Sequence, residues 1–244
     1  MNKTKIAAKL LAAGLVLGAV SAANAAPVLG TANLSLGQVQ VSLNNINFNP
    51  DQGSIVLPVI PADNPTDGVF STQAGANTGS FASASFGTIF APTYGSINDM
   101  NILSFPVGVL VAVPKFLEFA AQPGWLFTGT YLFEGNAYPG APYFVQQDGP
   151  NVFASFSVKG DICDTEGDGI CDLTDDVTKF TLAVSTQYAN TTVAALTQTL
   201  LNGFSLPNNT WSGTLVAEIP EPSTVALLGL GLLGLAGLRR RKQA

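Results

Sequence analysis

The run Val152-Phe153-Ala154-Ser155-Phe156-Ser157-Val158 alternates without a break. In an extended chain successive side chains point to opposite sides, so Val152, Ala154, Phe156 and Val158 form an apolar face while Phe153, Ser155 and Ser157 form the other. The same period recurs on both sides of this stretch. Downstream it carries Phe180, Leu182 and Val184, then Trp211, Gly213, Leu215 and Ala217. Upstream, a strand over 127–133 sets Phe127, Gly129, Tyr131 and Phe133 on one face, and Val39, Val41 and Leu43 alternate with Gln38, Gln40 and Ser42. Phe81 and Phe86, in a Ser/Ala-rich stretch, are read as a further strand. Clusters of Pro, Gly and Asn, such as 61–68 and 135–142, supply the turns. One segment departs from this period: Val193, Leu196 and Leu200 recur at helical spacing, with Thr191 or Thr192 to cap them and Gly203 to stop them. The expected fold is mainly β, an antiparallel β-sandwich or jelly-roll-like domain with one short helix crossing between strands.

The chain has 244 residues, a net charge of −6 and no histidine. Its basic residues crowd the ends: Lys3, Lys5 and Lys9 at the start, Arg239, Arg240, Arg241 and Lys242 at the finish. Only Lys115, Lys159 and Lys179 remain between them, so the middle is strongly acidic. Such a surface repels phosphate backbones, and nucleic acid is excluded as a partner. The lack of histidine removes Ser-His-Asp and Cys-His catalysis and His-ligated zinc.

Both ends have the layout of targeting segments. After the three lysines, Leu10 to Val20 is apolar but too short to span a bilayer stably, and Ala23-Asn24-Ala25 offers small residues to a signal peptidase. Residues 1–25 are therefore expected to be a signal peptide with a short apolar helix, cut before Ala26; an uncleaved anchor is the alternative. At the other end Pro220-Glu221-Pro222 precedes an apolar run from Val225 to Leu238, and the four basic residues follow at once. At about 1.5 Å per residue, Ser223 to Leu238 would give roughly 24 Å of transmembrane helix, slightly short of a bilayer core. The basic cluster is a membrane stop that keeps its end in the cytoplasm.

Triplet, helix and basic stop in this order resemble the PEP-CTERM sorting signal of exosortase substrates. Such tails are also labelled the C-terminal motif of ice-binding proteins, a label that describes the tail and not the domain before it. The resemblance implies that an exosortase-type protease reads Pro220, Glu221 and Pro222 over residues 220–244. An inner-membrane-anchored precursor would then pass to the cell surface or the medium. The alternative is a permanent single-span anchor. The domain itself occupies residues 26–219.

One cluster carries chemistry. Asp164, Glu166, Asp168, Gly169, Asp172 and Asp175 fall at the spacing D-x-E-x-D-G-x-x-D-x-x-D. Oxygen donors at these positions suit a hard cation such as Ca²⁺, with Gly169 at the sharp turn and Ile170 offering its carbonyl. The stretch resembles the calcium loops of thrombospondin type 3 repeats and dockerins, although one copy stands where those families use several. An affinity of about 10⁻⁴ to 10⁻³ M would fit an extracellular module. Cys163 and Cys171 are the only cysteines, and in an exported chain such a close pair favours a disulfide. The bland reading is a solvated acidic hairpin tip without metal.

The expected function is that of a non-catalytic cell-surface or extracellular-matrix protein. A carbohydrate-binding or adhesion module is the first alternative, with extracellular polysaccharide as partner. For that role Trp125, Tyr131, Tyr138, Tyr143 and Trp211 are the available aromatics, and Tyr138 and Tyr143 are read as the exposed pair. A glycan-active enzyme using carboxylates such as Glu118 and Glu134 is the second alternative.

Overall fold

The computed structural model of the chain describes residues 27–48, 67–72, 74–88, 91–165, 169–172 and 175–218. The expected signal peptide, the 220–222 triplet, the transmembrane helix, the 239–242 stop, and Glu166 and Asp168 lie outside the described residues.

The elements run β1 (Gly30–Val41), β2 (Asn45–Phe48), β3 (Asp67–Thr72), β4 (Gly87–Thr88), β5 (Ala91–Asn98) and β6 (Met100–Asn101). They continue with β7 (Leu110–Phe119), β8 (Trp125–Leu132), β9 (Phe144–Asp148), β10 (Asn151–Asp164), β11 (Val177–Tyr188), α1 (Val193–Leu201) and β12 (Asn209–Glu218). Hydrogen bonding links β12-β11-β10-β8-β7-β5-β3-β1 in order, every pair antiparallel, and β1 then pairs with β12 from Gly30↔Ala217 to Val39↔Asn209. The described chain is thus a closed eight-stranded antiparallel barrel, with β2, β4, β6 and β9 as added strands. This corrects the expected sandwich. Alternation reports that each strand has one buried face, which holds equally for two stacked sheets and for one sheet closed on itself; the pairing of first and last strands distinguishes them.

Eight strands leave an interior that side chains can fill, and here aromatic rings fill much of it. Trp211 meets Phe48 at 5.4 Å and Phe70 at 6.3 Å; Phe70 meets Phe119 at 5.2 Å; Phe119 meets Phe127 at 5.2 Å, and Phe127 meets Phe180 at 5.6 Å. Most of these contacts are edge-to-face, the arrangement that sets a ring's positive edge against its neighbour's negative face. Phe81 and Phe86 belong to the same core. Instead of the expected strand, they sit on two 3₁₀ turns, Gly79–Ala82 and Ala84–Phe86, and pack on Trp125 at 5.3 and 5.7 Å. Polar side chains of this segment continue the sheet: Thr78, Ser80 and Asn77 accept the amides of Thr31, Leu29 and Asn33 at 2.9 to 3.0 Å.

Register shifts interrupt the wall in β1–β12, β8–β10 and β7–β8, and the first two bear on its packing. Between Leu34 and Gly37 the register of β1 against β12 shifts, and β1 meets β3 there through Ser35↔Ser71. A Cβ on Gly37 would fall 2.1 Å from Trp211 Nε1, so only glycine lets the indole lie against the strand. The second shift falls where Lys159 faces Tyr131 but Gly160 faces Gly129, leaving Thr130 as an extra residue. Past that bulge the phase of β8 inverts. Phe127 and Gly129 point inward and so does Leu132, while Tyr131 and Phe133 are only half-buried, on the outer wall. Periodicity alone had set Tyr131 and Phe133 with Phe127, and the bulge reverses that.

The expected helix is present as α1. Thr192 caps it, its Oγ1 accepting the Ala195 amide at 3.2 Å, and Leu196 and Leu200 are its buried residues. Among the described residues no helix is long and apolar enough to cross a membrane.

Candidate functional site

The loop between β10 and β11 starts from a buried anchor. Thr165 is 1% exposed, and both its amide and its hydroxyl donate to the carbonyl of Gly124, at 3.0 and 2.8 Å. The same hydroxyl oxygen accepts the Gly169 amide at 3.2 Å. This threonine pins the acidic loop to the β7–β8 turn, a role that carries no motif and that spacing could not reveal. Gly169 has φ +77°, the left-handed region expected of the sharp-turn position. Cys163 and Cys171 are joined in a disulfide with Cα atoms 5.9 Å apart.

Of the candidate donors, Asp164 ends β10, Asp172 and Asp175 lie on the return, and Ile170 is exposed. One oxygen of Asp175, Oδ2, accepts the Asp172 amide at 2.7 Å, which closes the return into a tight turn. Among the described residues, one trio of groups that could ligate a metal lies within 4.8 Å: Cys163, Cys171 and Asp175. Its sulfurs are joined to each other and no longer offer thiolates, so it is no soft-metal site. Asp175 is the one carboxylate of that trio.

The aromatic candidates divide differently from the expectation. Tyr143 is 1% exposed and its hydroxyl donates to the Ser42 carbonyl at 2.6 Å; the half-buried Tyr138 donates to the Leu43 carbonyl at 2.5 Å. Both tie the 135–143 loop across the end of the barrel onto the β1–β2 turn, which corrects their reading as an exposed pair. Burial pushes the hydroxyls of Tyr143, Tyr188 and Tyr138 above the usual phenol range; for Tyr143 the neighbouring Tyr138 and Tyr188 add to it. Trp125 and Trp211 are core residues. The carboxylates weighed for catalysis have structural partners: Glu118 pairs with Lys115 at 3.6 Å, and Glu134 accepts the Gly140 amide at 3.1 Å.

The two termini of the domain leave the barrel at one end. β1 begins there, β12 finishes there at Glu218, and the acidic loop and the 3₁₀ turns occupy the same end. Fold and ends together define a closed β-barrel with a processing segment attached directly to its last strand. The family model for the PEP-CTERM protein-sorting motif matches residues 218–242, so the chain carries that motif and is an exported protein sorted by an exosortase to the cell surface. No curated protein and no solved structure matches the chain.

Proposed function

We propose that this protein is a non-catalytic structural component of the cell surface or extracellular matrix, a filled barrel that works through its outer surfaces. The observation that supports this reading is the junction at Glu218, where the last barrel strand ends as the sorting motif begins. With no intervening linker, the exported cargo of the motif is the barrel itself. Its interior is occupied by packed rings, and Glu118 and Glu134 are engaged in holding strands and loops. Fractionation of cells expressing the full chain tests the reading. The expected result is barrel on the surface or in the medium, and retention in the inner membrane when Pro220, Glu221 and Pro222 are all replaced by alanine. Unchanged release of that variant, or turnover of any member of a glycan panel by the purified chain, would overturn it.

Calcium has a structural part in the same proposal. Asp164, Glu166, Asp168, Asp172 and Asp175, with the Ile170 carbonyl, would hold the ion, and Gly169 supplies the turn that a loop of this spacing needs. The ion would offset mutual repulsion among these carboxylates, stiffening the end of the barrel from which the chain leaves.

A further inference from the structure

The bulge at Thr130 does more than bend a strand. It turns Tyr131 and Phe133 out of the core and onto the outer wall beside Lys159, and bulges of this kind are a common means of re-aiming side chains toward a binding surface. The two rings meet edge-to-face at 5.1 Å and 84°, and the ammonium of Lys159 lies 4.9 Å from the centre of the Phe133 ring. Thr130 Oγ1 donates to the Lys159 carbonyl at 3.3 Å and fixes the bulge to β10. Tyr131, Phe133 and Lys159 line a groove of about 520 Å³ with Lys179, Thr181 and Leu110, the last 78% exposed.

Charge is distributed unevenly over this wall. Only three lysines lie between the two terminal segments, and two of them line the groove. Lys179 is paired with Asp161 and Lys115 with Glu118, whereas Lys159 has no carboxylate partner among the described residues. Among the described residues, an acidic domain thus presents one uncompensated cation, held over the ring of Phe133. A cation above a ring face keeps its remaining N–H donors available for an anion.

We propose that this groove binds a carboxylated polysaccharide. The C–H face of a sugar ring packs on Tyr131 and Leu110, its carboxylate meets Lys159, and the hydroxyls of Thr130 and Thr181 serve its ring hydroxyls. The groove lies on the side of the barrel and reaches the end of β12, where its Lys179 stands opposite Glu218.

The test is binding of the full chain, purified in detergent, to polygalacturonate, with dextran as the uncharged polymer and phosphatidylglycerol vesicles as the anionic surface. Salt-sensitive binding to polygalacturonate alone is expected, weakened about tenfold by Lys159→Gln and by Tyr131→Ala. Lys159→Gln should also flatten the salt dependence, which loss of packing would not do. Should Tyr131→Ala lower the melting temperature, Lys159→Gln decides alone, because its side chain is exposed. Absence of polygalacturonate binding, equal retention of dextran, capture of the vesicles only, or wild-type affinity in Lys159→Gln would each overturn the proposal.

Discussion

Ser35 and Ser71 form the single register pair between β1 and β3, with their hydroxyls 3.3 Å apart. Every other neighbouring pair around the barrel shares at least three such positions, and β10 with β11 runs from Val152↔Tyr188 to Cys163↔Val177. β1 therefore closes the barrel at a thin seam, supplemented on one side by the side chains of Asn77, Thr78 and Ser80 and on the other by β2. Amides of β3 should exchange with solvent faster than those of β10 and β11, since local opening needs the fewest bonds there. Hydrogen exchange read by mass spectrometry checks this, and uniform protection around the barrel would contradict it.

The contact of Trp211 with Gly37 makes a sharp mutational prediction. Gly37→Ala places a methyl where the indole Nε1 and the Val69 carbonyl already lie, at 2.1 and 2.7 Å. Overpacking of this kind costs about 1 to 3 kcal/mol, and the backbone carbonyl gives the site little room to yield. A fall of that size in urea-unfolding free energy is expected. Gly75→Ala, whose Cβ would meet nothing within 4 Å, is the matched control.

Removing the disulfide by Cys163→Ser with Cys171→Ser should cost about 2 to 3 kcal/mol, from the loop entropy returned to the unfolded chain. The loss would appear as a lower melting temperature, and wild type under reductant should match the variant. If neither changes, the loop is held by Thr165 alone.

Calcium should raise the melting temperature of the full chain. At ten times the dissociation constant the gain is about 1.4 kcal/mol, and Asp168→Ala should abolish it. Calorimetry showing no heat at millimolar Ca²⁺ would return the loop to a solvated hairpin tip.

Stability should fall at alkaline pH. Tyr143 and Tyr188 are buried and neutral, and their folded-state ionisation is pushed upward by burial. Their contribution is complete below the unfolded value of about 10 and is lost as pH rises above it, at up to ~1.4 kcal/mol per pH unit for each residue. Urea unfolding between pH 9 and 11 measures the slope. Tyr143→Phe, which lacks the ionisable group, should be less stable at neutral pH but show a shallower alkaline fall; parallel curves would refute the assignment.

Most strand faces could be read from the residues. Phe156 with Val158, Leu182 with Val184, and Trp211 with Leu215 point inward as alternation requires, because a period of two survives any arrangement that buries one face of a strand. α1 was equally legible, since its cap at Thr192 and its buried Leu196 and Leu200 are local features. The two cysteines were legible as a pair for the same reason, being close in the chain. Phe81 and Phe86 misled because their odd spacing, which sets residues of a regular strand on opposite faces, carries no local sign of the two 3₁₀ turns that bury both rings. Tyr143 misled because a Pro/Gly-rich loop ordinarily lies in solvent, and its partner carbonyl at Ser42 is 101 residues away.

Residues near one another in the chain thus settled the C-terminal sorting motif, most strand faces, the helix and the disulfide, because each depends on interactions of short range. Closure of the sheet into a barrel, the outward turn of Tyr131 and Phe133 beside Lys159, and the anchoring of the acidic loop by Thr165 depended on tertiary structure. Each arises from a register between strands or turns distant in sequence, and one extra residue in such a register reverses every side chain beyond it.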